Sequence, residues 1–450
     1  MIAVWALPMT YKAINLHNRP YKIISAIAHN DKDIPDLFRQ AKYEKMSKSP
    51  YLFLRGTNHL FWEDFYNDWR LSLFGGTAAV HTWLQGDAHL YNFGAFANYY
   101  DEVIYGFDDF DDGIVGDYQY DLWRLAISLV LDCRENGNFK SKEISKAVTK
   151  LGKAYLKTVF DDNHNAAQQE IHFTQENTEG KLQKFLKKVA EKESRSKMLE
   201  KWTTFDEKGK RVFNKEAEKL SPLTTEEVQQ LQNAFPQYRQ TLSNEMPADD
   251  DRYFHIKDMA KRLWAGTGSL GTPRYYILIE GDPVTAHDDI ILDVKRQEFP
   301  AAYAQMNQEE RQAYHRVFSH EGDRHAQAFR AIAEHPDQYL GWMELPDGVY
   351  SVRERSPFKE DFPTDKLDKD KDLYKLAQQW GIILATEHKR GGYALNGNHG
   401  FSQALKERVA EREKTFMEFL VDVAFQYADC VEQDYETFLA YFHQNFQNKD

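Results

Sequence analysis

Apolar and polar positions follow a helical period in some stretches of this chain and a strand period in others, and the changes of period divide it. From residue 30 to 75 apolar and aromatic side chains recur at helical spacing, interrupted at the proline of MSKSPYLFLRG. Residues 80–112 alternate in the manner of strands, in HTWLQ and EVIYGF, before YDLWRLAISLVLDC resumes a buried helix. From about 138 to 250 the composition shifts to Lys, Glu and Gln at helical spacing, and TTFDEKGKRVF reads as a charged hairpin turning at its Lys-Gly. Between 262 and 296 YYILIEG and IILDVKR read as strands, a long helix is expected over 307–334, and LGWMEL with GVYSVRER forms another hairpin. Residues 368–450 are helical again. The pattern predicts an α+β protein in five stretches: a helical lead-in (1–79), a strand-and-loop core (80–137), a helical insertion with a hairpin (138–250), a small antiparallel unit (251–365) and C-terminal helices (366–450).

Composition narrows the class. A chain of 450 residues with 42% hydrophobic content can bury more than one core. The net charge of -13 argues against a nucleic-acid-binding surface, which is usually basic. One stretch runs the other way: residues 181–219 hold 13 Lys or Arg against 7 Asp or Glu, a balance of +6 that reads as a solvated helix face. Cys133 and Cys430 are too few for a disulfide framework, which suits a reducing cytoplasm. The N-terminus has no basic start followed by a long apolar run, and LWRLAISLVLDC is too short to span a bilayer, so neither export nor membrane insertion is expected.

Candidate chemistry concentrates between residues 84 and 124. In GDAHLYN, Asp87 can orient or deprotonate an attacking hydroxyl, with His89 beside it, and Asn92 five residues on can reach a phosphate-bound metal. That interval is the one found in a kinase catalytic loop. Asp109 follows 22 residues later, just after a predicted strand, where a second Mg ligand is needed; Asp108, Asp111 and Asp112 compete for the role. Asp121 is expected to cap the next helix and anchor the loop. Farther along, GTGSLG contributes Gly266, Gly268, Ser269 and Gly271 as a phosphate-covering turn, because a strand rather than a helix follows it. Lys295, 24 residues after Gly271 on an apolar strand, is placed to hold nucleotide phosphates. Its expected acidic partner is Glu298, Glu310 or Glu321. The glycine turn and lysine come after the Asp and Asn, the reverse of the order in kinases. This is the pattern of a two-lobed, protein-kinase-like fold that has been circularly permuted and given large helical additions.

MSKSPYLFLRG, GDAHLYNFG, FDDFDD with DLWRL, GTGSLGT, DVKRQ, YLGWMEL, LATEHKR and YADCVEQDY together resemble the bacterial family called domain of unknown function 2252. That resemblance, through the family's likeness to aminoglycoside phosphotransferases, implies a kinase-like fold using ATP and Mg, with Asp109 as the metal ligand. EGDRHAQAF departs from the family pattern by putting Gln327 where an acidic residue is expected. Arg55, His388 and Arg390 are expected to make structural contacts. The expectation is an ATP- and Mg-dependent phosphotransferase acting on a hydroxyl acceptor. The alternatives are a nucleotidyl transferase or a non-catalytic nucleotide-binding regulator. A two-metal phosphoesterase needs more His and Asp ligands than GDAH and NGNHG supply.

Overall fold

A computed structural model describes residues 12–14, 16–98, 102–161, 173–215, 219–243, 254–264, 270–281, 288–333 and 336–447. Helices α1 (Arg19–Asn30), α2 (Asp36–Met46), α3 (Pro50–Gly56) and α4 (Asn58–Phe65) open the chain. The proline that interrupts the sequence pattern starts a helix instead: Pro50 lies at the first turn of α3, where its missing N–H costs nothing, and Ser49 Oγ caps Leu52 N at 3.2 Å.

Strands β1 (His81–Leu84), β2 (Phe93–Ala97), β3 (Val103–Phe107) and β4 (Ile114–Asp117) follow, β1 pairing with β4 and β2 with β3, all antiparallel. Helix α5 (Gln119–Asn136) is buried on every side from Gln119 through Cys133, as a helix at the centre of a core must be. Around it stand α6 (Ser141–Phe160) and α7 (Gly180–Lys192), and later in the chain α12 (Asp370–Asn396), α13 (Gly400–Val409) and α14 (Glu413–Phe442). Helices α6 and α12 touch through backbone: a Cβ on Gly381 would lie 2.3 Å from Leu151 O.

Helix α8 (Arg195–Trp202), hairpin β5 (Thr203–Phe205) and β6 (Arg211–Phe213), β7 (Leu220–Ser221) and α9 (Thr225–Gln240) belong with a six-stranded antiparallel sheet. Its remaining strands are β8 (Ile256–Arg262), β9 (Arg274–Ile279), β10 (Ile290–Arg296), β11 (Gly341–Leu345) and β12 (Gly348–Glu354), in the order β11-β12-β10-β9-β8-β7. The stretch 138–250 is thus divided between the helical core and the sheet. The hairpin turns as expected, with Gly209 at φ 75°. A short β13 (Glu360–Asp361) joins β2.

The single helix expected over 307–334 is two, α10 (Gln308–Val317) and α11 (Glu321–Ile332). Phe318 and His320 are extended, and His320 Nδ1 accepts from Asp323 N at 3.1 Å, so a local side-chain cap breaks a helical period that continues on either side. Alternation along β10 sends Leu292 and Val294 into the core under α9, while Asp293 and Lys295 face the helical body. Among the described residues no helix is long and apolar enough to cross a membrane.

Candidate functional site

Strand β1 delivers Gln85, Gly86 and Asp87 into a loop that α5 holds from beneath. Asp121, in the first turn of α5, accepts Gln85 N at 2.7 Å and Gly86 N at 3.0 Å, and its third partner is His388 Nε2 at 3.3 Å. Tyr155 Oη lies 2.8 Å from His388 Nδ1. Asp121 is therefore the loop anchor without being a helix cap. Gly86 has φ 83°, and a Cβ there would fall 2.0 Å from Asp112 O, so this loop and the 108–112 loop touch through backbone.

Asp87 pairs with Arg124, which is fully buried, and its other oxygen lies 3.6 Å from His89 Nε2. Burial pushes the Asp87 carboxyl up to about 7; Arg124 opposes that shift, while Asp112 and Asp109 add to it. His89 is held neutral, since burial, with Arg55 and Arg124 nearby, lowers its pKa well below the ordinary value. Asn92 donates from Nδ2 to Asp87 O at 2.9 Å, which leaves its carbonyl oxygen as the group available to a cation.

The structure sorts the four neighbouring carboxylates. Asp108 pairs with Lys359 at 2.7 Å, Asp112 accepts Ala301 N at 2.6 Å, and Asp111 takes Lys295 and, at 3.0 Å, Gln297 Nε2. Among the described residues Asp109 has no cationic partner; burial and then Asp111 raise its pKa, with Lys295 opposing. Burial also works against ionisation of Asp111, but Lys295, aided by His325 and Gln297, holds that carboxyl well below the usual range.

The partner of Lys295 is thus Asp111 and none of the three glutamates expected from the sequence. Glu298 binds Arg296 at 3.0 Å, Glu310 accepts Asn307 N at the start of α10, and Glu321 binds Arg324 at 2.6 Å. Gln327 donates to Asp323 at 3.0 Å, and the α11 side chain facing this pair is His325, 4.0 Å from Asp111. Burial drops His325 to about 3. Buried Arg324 fixes the loop by donating to Asp111 O at 2.6 Å and Gly113 O at 2.8 Å.

Gly266, Gly268 and Ser269 lie outside the described residues. Gly271, at φ 94°, packs against Phe38 and Ile34 of the helical lead-in. Two cavities meet at the site. One, of about 330 Å³, lies under the sheet; the other, of about 680 Å³, opens toward α1–α4 and contains Asp87. Arg55, Asn92, Asp109, Asp111 and Lys295 border both. Arg55 was expected to be a buried structural residue, but it is a half-buried cavity wall whose guanidinium lies 5.5 Å from the Tyr91 ring centre. Sequence reasoning passed over Arg124, and took Asp111 only as a candidate metal ligand and not as the partner of Lys295, because each contact is made with a residue remote in the chain.

Among the described residues no three His, Cys, Asp or Glu side chains form a ready-made metal cage. The donors present still fit Mg, which needs only one or two protein oxygens beside phosphate and water: the Asn92 carbonyl and the Asp109 carboxylate, which among the described residues accepts only the Asp111 amide, border the same cavities.

Residues 33–441 match the family of uncharacterized proteins conserved in bacteria known as DUF2252, and the chain belongs to that family. No curated protein and no solved structure shows significant similarity to the chain.

Proposed function

We propose that this chain is an ATP- and Mg-dependent phosphotransferase that moves a phosphorus-bearing group of the nucleotide to a hydroxyl acceptor on a circularly permuted, kinase-like frame. The observation that carries this reading is convergence. Asp87, Asn92 and Asp109 come from one stretch of chain and Lys295 from another 186 residues beyond Asp109, yet Asn92, Asp109 and Lys295 border both cavities and Asp87 lines one of them. The sheet supports it too. Lys295 lies on the third strand of the β8, β9, β10 run, as the phosphate-holding lysine of protein kinases lies on their third strand.

In this reading Asp87, poised near neutrality, takes the proton of the acceptor hydroxyl, and Arg124 fixes its orientation. Lys295 exchanges part of its contact with Asp111 for nucleotide phosphate. Asn92 and Asp109 would hold Mg, which when bound neutralises charge on the phosphates. The chain's contribution is mainly positioning and charge placement.

Thermal denaturation of wild type, Asp109→Ala and Lys295→Ala with ATP, with and without Mg, tests this. ATP at a hundred times its Kd should stabilise wild type by about 2.7 kcal/mol, only with Mg, and both variants should lose that gain. Stabilisation and ATP turnover unchanged in Asp109→Ala would remove the metal assignment, and with it the reading.

A further inference from the structure

The cavity under the sheet has an unusual roof for a site that receives a nucleotide base. Registers set Asp293 opposite Tyr276 and Arg353, and Lys295 opposite Arg274 and Ser351. The apolar rung beyond them, Ile291 with Leu278, is packed beneath Met198 and Trp202 in a core of its own. The roof is therefore an Arg274–Asp293 ion pair, a tyrosine ring and a guanidinium.

Among the described residues, pairing the charges around this cavity by contact leaves four arginines without a carboxylate. Asp293, Asp108 and Asp111 are taken by Arg274, Lys359 and Lys295. Glu354 is taken by Arg195, and Asp337 accepts the backbone amides of Tyr339 and Glu354. Among the described residues none of Arg55, Arg262, Arg353 and Arg355 has a carboxylate at ion-pair distance. Arg353 donates to Asp108 O at 2.7 Å and Arg262 to Tyr276 Oη at 3.2 Å. Arg355 Nε is buried with no acceptor, and the Arg355 and Arg55 guanidiniums lie over the Trp202 and Tyr91 rings. Guanidinium groups with spare donors are phosphate-recognition chemistry. A purine pressed into the same place would bury its ring against an ion pair and leave those donors without acceptors.

From this we infer that the nucleotide enters polyphosphate first: its β and γ phosphates occupy the arginine-lined cavity, the base faces outward toward Trp264, and the group transferred is the nucleoside monophosphate. Trp264 borders the same cavity, is 40% exposed, and its ring centre lies 5.2 Å from that of Phe38. This rests on the nucleotide-binding reading above and specifies which phosphorus is attacked. The acceptor hydroxyl oxygen forms a bond to the α-phosphorus and the bond from that phosphorus to the α,β-bridging oxygen breaks. Pyrophosphate leaves with the electron pair, and the hydroxyl proton passes to the Asp87 carboxylate.

The full chain titrated calorimetrically with Mg and ATP, AMP or inorganic tripolyphosphate tests the orientation, alongside product analysis of slow ATP cleavage with water as acceptor. The expected result is that tripolyphosphate binds and competes with ATP. Arg55→Gln and Arg355→Gln should each weaken both ligands about tenfold or more, the loss of one charge-assisted contact, and leave AMP unaffected. Cleavage should yield AMP and pyrophosphate. ATP binding that both variants leave intact, with ADP and phosphate as products, overturns the inverted orientation while sparing the nucleotide site. If neither ATP nor tripolyphosphate binds, the nucleotide reading falls and this inference with it.

Discussion

Replacing Asp121 with Ala removes the side chain that holds the Gln85 and Gly86 amides to α5. Asp121 is 1% exposed, and its carboxylate satisfies two backbone N–H groups and an imidazole nitrogen. Alanine leaves Gln85 N and Gly86 N buried with no acceptor and no room made for several waters. Each orphaned donor costs about 1–3 kcal/mol, so the pair costs roughly 4 kcal/mol. His388 adds less, because it can present its other tautomer to Tyr155 Oη. Asp121→Asn keeps one acceptor oxygen and should lose about half as much. Urea unfolding gives the free-energy change, and hydrogen exchange over residues 84–88 locates it: the Gln85 and Gly86 amides should exchange faster in Asp121→Ala. A cost under about 1 kcal/mol, with both amides still protected, would refute the buried-donor argument.

Gly86→Ala should be much more damaging than Gly137→Ala, although both glycines have positive φ. At Gly137 an added Cβ meets nothing within 4 Å, so only the left-handed strain of about 1–2 kcal/mol applies; at Gly86 the 2.0 Å approach to Asp112 O must also be relieved by pushing the 108–112 loop away. Thermal unfolding of the two variants compares them, and equal losses would show that the loop contact is unimportant. In the pH dependence, Asp87 must be ionised to act as a base, so turnover should climb as pH rises through about 7 and flatten above it, while the residual rate of Asp87→Asn stays level. For stability the sign is opposite. The folded carboxyl lies above its ordinary 3.8, so its contribution is full below that pH and is lost as pH rises toward 7. Measured against Asp87→Asn, wild type should lose up to about 4 kcal/mol across that window, and no relative loss would contradict the burial of the carboxyl.

Local pattern determined a good deal of this protein. The two-residue alternation of ILDVK was enough to put Leu292 and Val294 inside and Lys295 on the other face, apolar residues on every side of LWRLAISLVLDC pointed to a helix at the centre of a core, and Lys-Gly at 208–209 required a hairpin turn. The positions of Asp87, Asn92 and Asp109 along the chain were legible for the same reason: loops between strands at readable intervals. Tertiary structure decided what those residues do to one another. Which of Asp108, Asp109, Asp111 and Asp112 is left without a distant partner depends on Lys295, Lys359 and the amide of Ala301, each more than a hundred residues away. The same holds for Arg124 behind Asp87, and for the charged roof under the sheet, where Asp293 and Arg353 become neighbours only through strand register. Periodicity reports which face of an element is buried, because that is a property of consecutive residues; the partner of a buried charge is set by packing between distant elements, and nothing in the local sequence encodes that distance.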